Sequence, residues 1–156
     1  METDPDAAAM AARAAALADG IEAAIRPWLV AAVVQRAGEG ARPAAEQVAD
    51  TTAAEVVPRV RALLAADIDE QATTPLALLR SAVGPVNALL TELGVPPAER
   101  DEFAERAFPE DVHGLAPAAF EDVSPELRGP GLEWGAAKAY VHLRRRRAPG
   151  GPGTGR

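Results

Sequence analysis

The sequence predicts an all-α protein: an irregular bundle of about five helices with proline kinks and a turn-rich connector. Three observations predict it. Alanine supplies 37 of the 156 residues, and alanine is the strongest helix former. Large apolar residues recur at spacings of three and four, as in Leu76, Leu79, Val83, Val86, Leu90 and Leu93. No β-branched run alternates with polar residues, and no Asn-Gly hairpin turn occurs.

The elements follow in chain order. Thr3-Asp4-Pro5-Asp6 joins a capping candidate, a first-turn proline and an acid at the positive end of the helix dipole. Met10, Leu17, Ile21 and Ile25 then form a narrow apolar stripe. Pro27 should kink or break this helix, because it lacks an N–H and clashes with the preceding turn. Trp28, Leu29, Val30, Val33 and Val34 should lie deeper, and Gly38-Glu39-Gly40 ends the unit. Pro43 opens a second helix marked by Val48, Val56, Val57, Val60, Leu63 and Leu64, interrupted at Pro58. A connection should start at Asp67-Ile68-Asp69-Glu70.

Thr74 and Pro75 form the clearest start signal, an N-cap followed by proline at the first helical position. The 76–93 seam follows, bent at Gly84-Pro85 and closed by Gly94. A short helix is expected over 97–107, with Glu102 and Arg106 paired one turn apart. Prolines and glycines then punctuate 108–130, leaving room for single turns at 117–120 and 125–127. Phe108, Val112, Leu115, Phe120, Val123 and Leu127 should pin this connector to a core. The last helix is expected over 132–146, with Leu132, Ala136, Tyr140 and Leu143 on one face.

Residues 1–147 read as one helical domain and 148–156 as a disordered tail. Five of the six aromatic residues lie beyond position 100. Residues 73–147 are therefore expected to hold the better-packed core, and the Ala-rich 1–66 an outer helical layer.

The absence of cysteine excludes disulfides, thiol nucleophiles and Cys-ligated metals, and fits a reducing cytoplasm. No stretch approaches the roughly 20 apolar residues of a membrane helix. The acidic start lacks the basic character of a signal peptide, so a cytoplasmic location is expected. The net charge of −7 is a sum of unlike parts: residues 1–143 carry −12, and 144–156 carry +5. Arginine in place of lysine, with abundant Ala, Gly and Pro, points to a GC-rich bacterial genome.

Three stretches carry a resemblance: TTPLALLR from Thr73, RDEFAERAFPEDV from Arg100 and GLEWGAAKAYVHL from Gly131. They resemble a small uncharacterised actinobacterial family of helical proteins. The resemblance covers about half the chain. It implies a helical cytoplasmic protein and transfers no catalytic residue or substrate.

His113 and His142, with Glu110 and Asp111 nearby, raise a metal site as an alternative, but their spacing matches no ligand motif. Asp67/Asp69, Glu110/Asp111 and Glu121/Asp122 are the carboxylate pairs that acid–base chemistry would use if one member were desolvated. No phosphate-binding glycine loop, nucleophile elbow or HExxH is present. No catalytic residue, metal ligand or cofactor is therefore assigned. Arg144, Arg145, Arg146 and Arg147 could grip phosphates, or simply complement a helix C-terminus. Phe103, Phe108 and Trp134 are the candidate anchors for a protein partner. The expected function is a non-enzymatic protein-interaction module, self-association included, because the 76–93 seam and the Ala-rich helices offer more apolar face than a modest core would cover. Nucleic-acid association through the arginines at 144–147 and an enzyme using a carboxylate pair are the alternatives.

Overall fold

The computed structural model describes residues 5–66 and 74–147. They form an all-α bundle with no strand among them. Helices α1 (Pro5–Ala37) and α2 (Arg42–Ala65) are joined by a single 3-10 turn, Glu39–Ala41. Helices α3 (Pro75–Ser81) and α4 (Val83–Glu92) are one helical run interrupted at Ala82. A six-residue α5 (Glu102–Ala107) follows, then the connector with 3-10 turns Phe120–Asp122 and Pro125–Leu127, then α6 (Arg128–Arg147). The segment 67–73, with Asp67 and Asp69, and the tail at 148–156 lie outside the described residues.

Helices α1 and α2 form an antiparallel hairpin. Its direction is written in the ion pairs: Arg26 reaches Asp50 at 3.0 Å, while Arg61, farther along α2, reaches back to Asp19 at 2.8 Å and to Glu22. Leu17, Ile21, Ile25, Leu29 and Val33 of α1 are at most 1% exposed. Facing them, α2 presents Ala45, Ala49, Ala53, Val56, Val60 and Leu64. Alanine on the facing helix lets the axes approach, so a narrow stripe of large residues is enclosed on all sides. The Ala-rich half is therefore no outer layer. It forms the center of the core, and α6, α4 and the turn Pro125–Leu127 pack onto it. Most of the aromatic residues lie toward the periphery: Phe103 and Tyr140 are exposed, and Trp28, Phe108 and Phe120 are half-buried.

Neither Pro27 nor Pro58 breaks its helix. Both prolines are exposed, as are Ala23 and Ala54 four residues earlier. The carbonyl that each proline deprives of a donor therefore faces water. Pro85, by contrast, coincides with an interruption. It has no N–H for the carbonyl of Ser81, and the chain leaves α3 at Ala82, whose N–H is shared between the carbonyls of Leu78 and Leu79. Thr74 caps α3 by accepting from the N–H of Ala77 at 3.1 Å. Gly94, at φ +80°, closes α4 in a Schellman motif: its N–H reaches Thr91 O and that of Val95 reaches Leu90 O.

Two expected boundaries shift. Helix α5 starts at its Asp101 cap rather than at 97, because the Ala98 N–H is held by the carbonyl of Val112 across the connector. Helix α6 starts at Arg128 rather than 132 and takes Pro130 into its first turn, where a missing N–H costs nothing. Two glycines set how closely the connector sits. A Cβ on Gly20 would stand 2.7 Å from Leu127 Cδ2, and one on Gly131 would stand 2.7 Å from Phe120 Cδ2. Leu127 and Phe120 thus seat on α1 and α6 only because those positions have no side chain.

Candidate functional site

The seam expected over 76–93 lies mostly inside the core, where Leu79, Val83, Val86 and Leu90 are buried and only Leu93 at its end is exposed. Those four side chains are therefore covered by the chain itself. Within that seam stands Asn87, 3% exposed, which the apolar pattern passes over. Its amide donates to Val83 O at 3.0 Å and to Asp111 Oδ1 at 2.9 Å, and its Oδ1 accepts from the N–H of His113 at 2.9 Å. These partners fix the amide's orientation. Asp111 also accepts from the N–H of Leu115 at 2.7 Å and of Ala116 at 2.8 Å. Thr91 Oγ1 donates to Asn87 O at 3.1 Å and lies 3.4 Å from His113 Nε2.

This network ties the connector to α4. The Asp111 carboxylate is occupied by hydrogen bonds from the protein itself, the mark of a structural group rather than a reacting one. Glu110 beside it is exposed, so the two carboxylates do not share a site. Glu121 is exposed as well, and Asp122 Oδ2 accepts from the N–H groups of Ala118 and Ala119 at 2.9 and 3.0 Å, capping a turn. Among the described residues no three His, Cys, Asp or Glu side chains converge on a common point for a cation. His113 is 2% exposed within the network, while His142 sits on the exposed surface of α6.

Two hollows adjoin the connector. One, of about 770 Å³, runs between α1 and residues 114–127 past Trp28, Arg36 and Ser124. Three of its polar side chains serve the backbone: Arg36 donates to Ala32 O at 2.9 Å, Ser124 Oγ accepts from the N–H of Glu126, and Asp122 caps its turn. The other, of about 360 Å³, is walled by Arg80, Phe108 and Asp111. Arg80 donates to Pro117 O at 2.9 Å and lies 5.6 Å from the center of the Phe108 ring. Phe108 is thereby a clamp on the connector, half-buried beneath a cation.

Trp134 is not an exposed anchor. It is 7% exposed in the core, Lys138 covers its ring at 5.0 Å, and its indole N–H finds no acceptor among the described residues. Among the described residues Phe103 is the most exposed large apolar side chain, at 72%, on the six-residue α5. Arg144, Arg145, Arg146 and Arg147 form the last turn of α6, where positive charge favours the dipole. The exposed Arg144 lies 6.0 Å from the center of the Tyr140 ring.

Helix α6 itself carries the unexpected feature. Trp134 and Val141, seven residues apart, turn one face into the core. The face grouped from the sequence, Leu132, Ala136, Tyr140 and Leu143, points the other way, with Leu132 65%, Tyr140 56% and Leu143 48% exposed. Gly135 and Ala139 complete this exposed face. The outer side of a surface helix is ordinarily polar; this one is apolar over about three turns. The spacing identified the face, and the competing pair Trp134 and Val141 decided which side went in.

No helix among the described residues is long and apolar enough to cross a membrane. No family model, curated protein or solved structure matches the chain.

Proposed function

We propose that the chain is a non-enzymatic, cytoplasmic protein-interaction module that binds a protein partner, or another copy of itself, through the outer face of α6. The observation that supports this is the exposure of Leu132, Tyr140 and Leu143 on the side of α6 opposite Trp134. Covering them removes apolar surface from water at about 25 cal/mol per Å². Tyrosine is enriched among the residues that anchor interfaces, and the two leucines on the same helix add apolar area around Tyr140. Phe103 lies apart on α5 and is left out of this surface.

The test is a paired substitution, Leu132→Glu with Leu143→Glu. Both positions are exposed, so the helical circular dichroism spectrum and melting temperature stay close to those of the unaltered chain. Association of the chain, with itself or with a partner retained from its native cytoplasm, is lost. Equal association by the doubly substituted chain rules the reading out. Nucleic-acid association is the second reading, supported by Arg144 beside the exposed Tyr140 at the end of a basic helix. It predicts binding that weakens with salt and vanishes on removal of residues 144–156.

A further inference from the structure

Building on the reading that the outer face of α6 is an interaction surface, we propose that its occupant is a second copy of this chain, docked antiparallel. The spacing carries the argument. Leu132, Ala136, Ala139 and Leu143 stand at intervals of four, three and four, symmetric about the midpoint between Ala137 and Lys138. A two-fold interface needs this property, since residue i must meet j while j meets i. Turning a second α6 end for end sets Leu132 against Leu143 of the other copy and Ala136 against its Ala139. The same intervals define the seam of two helices packed side by side. The middle of the seam is small: Gly135 has open space where a Cβ would stand, and both alanines are exposed. Two backbones can therefore approach closely, with a pair of leucines closing each end.

Charge selects the direction. Glu133 and Arg144 are eleven residues apart, which places them on one flank of the seam, about 20° apart around the axis. In an antiparallel pair each flank meets the same flank of the other copy, so Glu133 lies beside Arg144 of the other chain, twice. A parallel pair would instead set each flank against the opposite flank of the other copy, so Glu133 would face the glycines at 131 and 135 and both ion pairs would be lost. Glu133 is 63% exposed, with Arg13 no nearer than 3.8 Å. Such rim pairs fix register and orientation more than they add affinity. A contact made by one helix face is at the small end of specific interfaces, so the dimer dissociates on dilution.

Sedimentation velocity of the full chain across a concentration series is expected to show a monomer–dimer equilibrium. Leu132→Glu with Leu143→Glu abolishes it while the circular dichroism spectrum is kept. Glu133→Arg weakens it by roughly five-fold or more, and adding Arg144→Glu restores it. The chain has no cysteine, so Leu132→Cys and Leu143→Cys each introduce a single thiol. Mixed under mild oxidation, the two variants give the mixed disulfide in excess over either homodimer. Homodimers of each variant in excess overturn the antiparallel arrangement, and failure of the charge swap to restore pairing overturns the flank contact. A strictly monomeric chain at every concentration overturns self-pairing itself. The interaction reading then stands or falls on whether the same glutamate pair abolishes capture of a different protein.

Discussion

Asp111→Ala is the substitution whose consequence follows most directly from the geometry. Its carboxylate accepts from Asn87 Nδ2, Leu115 N and Ala116 N, at 2.9, 2.7 and 2.8 Å. Removal strands these donors unequally. Asn87 retains its bond to Val83 O, and Ala116 is half-buried, so water reaches it. The Leu115 N–H belongs to a buried residue and has Asp111 as its acceptor in the network, so stranding it costs about 1–3 kcal/mol. With the charge-assisted bond to Asn87 also gone, the total is about 3–5 kcal/mol. Asp111→Asn keeps one acceptor oxygen and aims a second donor at a backbone N–H, for a smaller loss of about 1–3 kcal/mol. Urea unfolding followed by far-UV circular dichroism measures both. The order is wild type, then Asn, then Ala, and Asn87→Ala is coupled to Asp111→Ala in a double-mutant cycle. An Ala variant within about 0.5 kcal/mol of wild type would show that the network does not hold the connector to α4.

Three further outcomes follow from other contacts. Ile25→Ala destabilises by about 2–5 kcal/mol, whereas Leu132→Ala stays within about 0.5 kcal/mol; equal effects in urea unfolding would contradict the placement of the core along α1. Gly131→Ala destabilises by about 1–3 kcal/mol, despite alanine's better helix propensity, because the new Cβ meets Phe120 Cδ2, Cγ and Cβ at 2.7, 3.3 and 3.5 Å; a rise in melting temperature would contradict it. The hydrogen bonds from Arg42 hold the exposed Glu39 below its ordinary carboxylate value. Such a depressed group adds stability above its unfolded pKa, and that contribution is lost as pH falls through the folded value. Arg42→Gln moves the Glu39 titration upward by NMR, and an unchanged titration would refute the pairing.

The helices were legible because their signals are local. Thr74-Pro75, Pro43 and Gly94 each determine one turn of backbone, and each acts where its chemistry indicates. What escaped the sequence depends on the opposing surface. Leu17, Ile21 and Ile25 look too sparse for a core until the alanines of α2 close over them. Leu132, Tyr140 and Leu143 look like core residues until Trp134 and Val141 take the inner side of the same helix. Asn87 looks like an imperfection in an apolar seam until residues 111–116 supply its partners. The carboxylate pairs illustrate the same limit: adjacency along the chain put Glu110 and Asp111 together, whereas the connector turns one into water and the other into the core.

The central claim is that the outer face of α6 is built to be covered. Backbone amide chemical shifts recorded from dilute to concentrated chain test it most directly. The account predicts concentration-dependent changes confined to Leu132, Gly135, Ala136, Ala139, Tyr140 and Leu143 and their immediate neighbours on α6. Changes centered on α5 and Phe103, or none on α6 at any concentration while a bound partner perturbs another face, would contradict it.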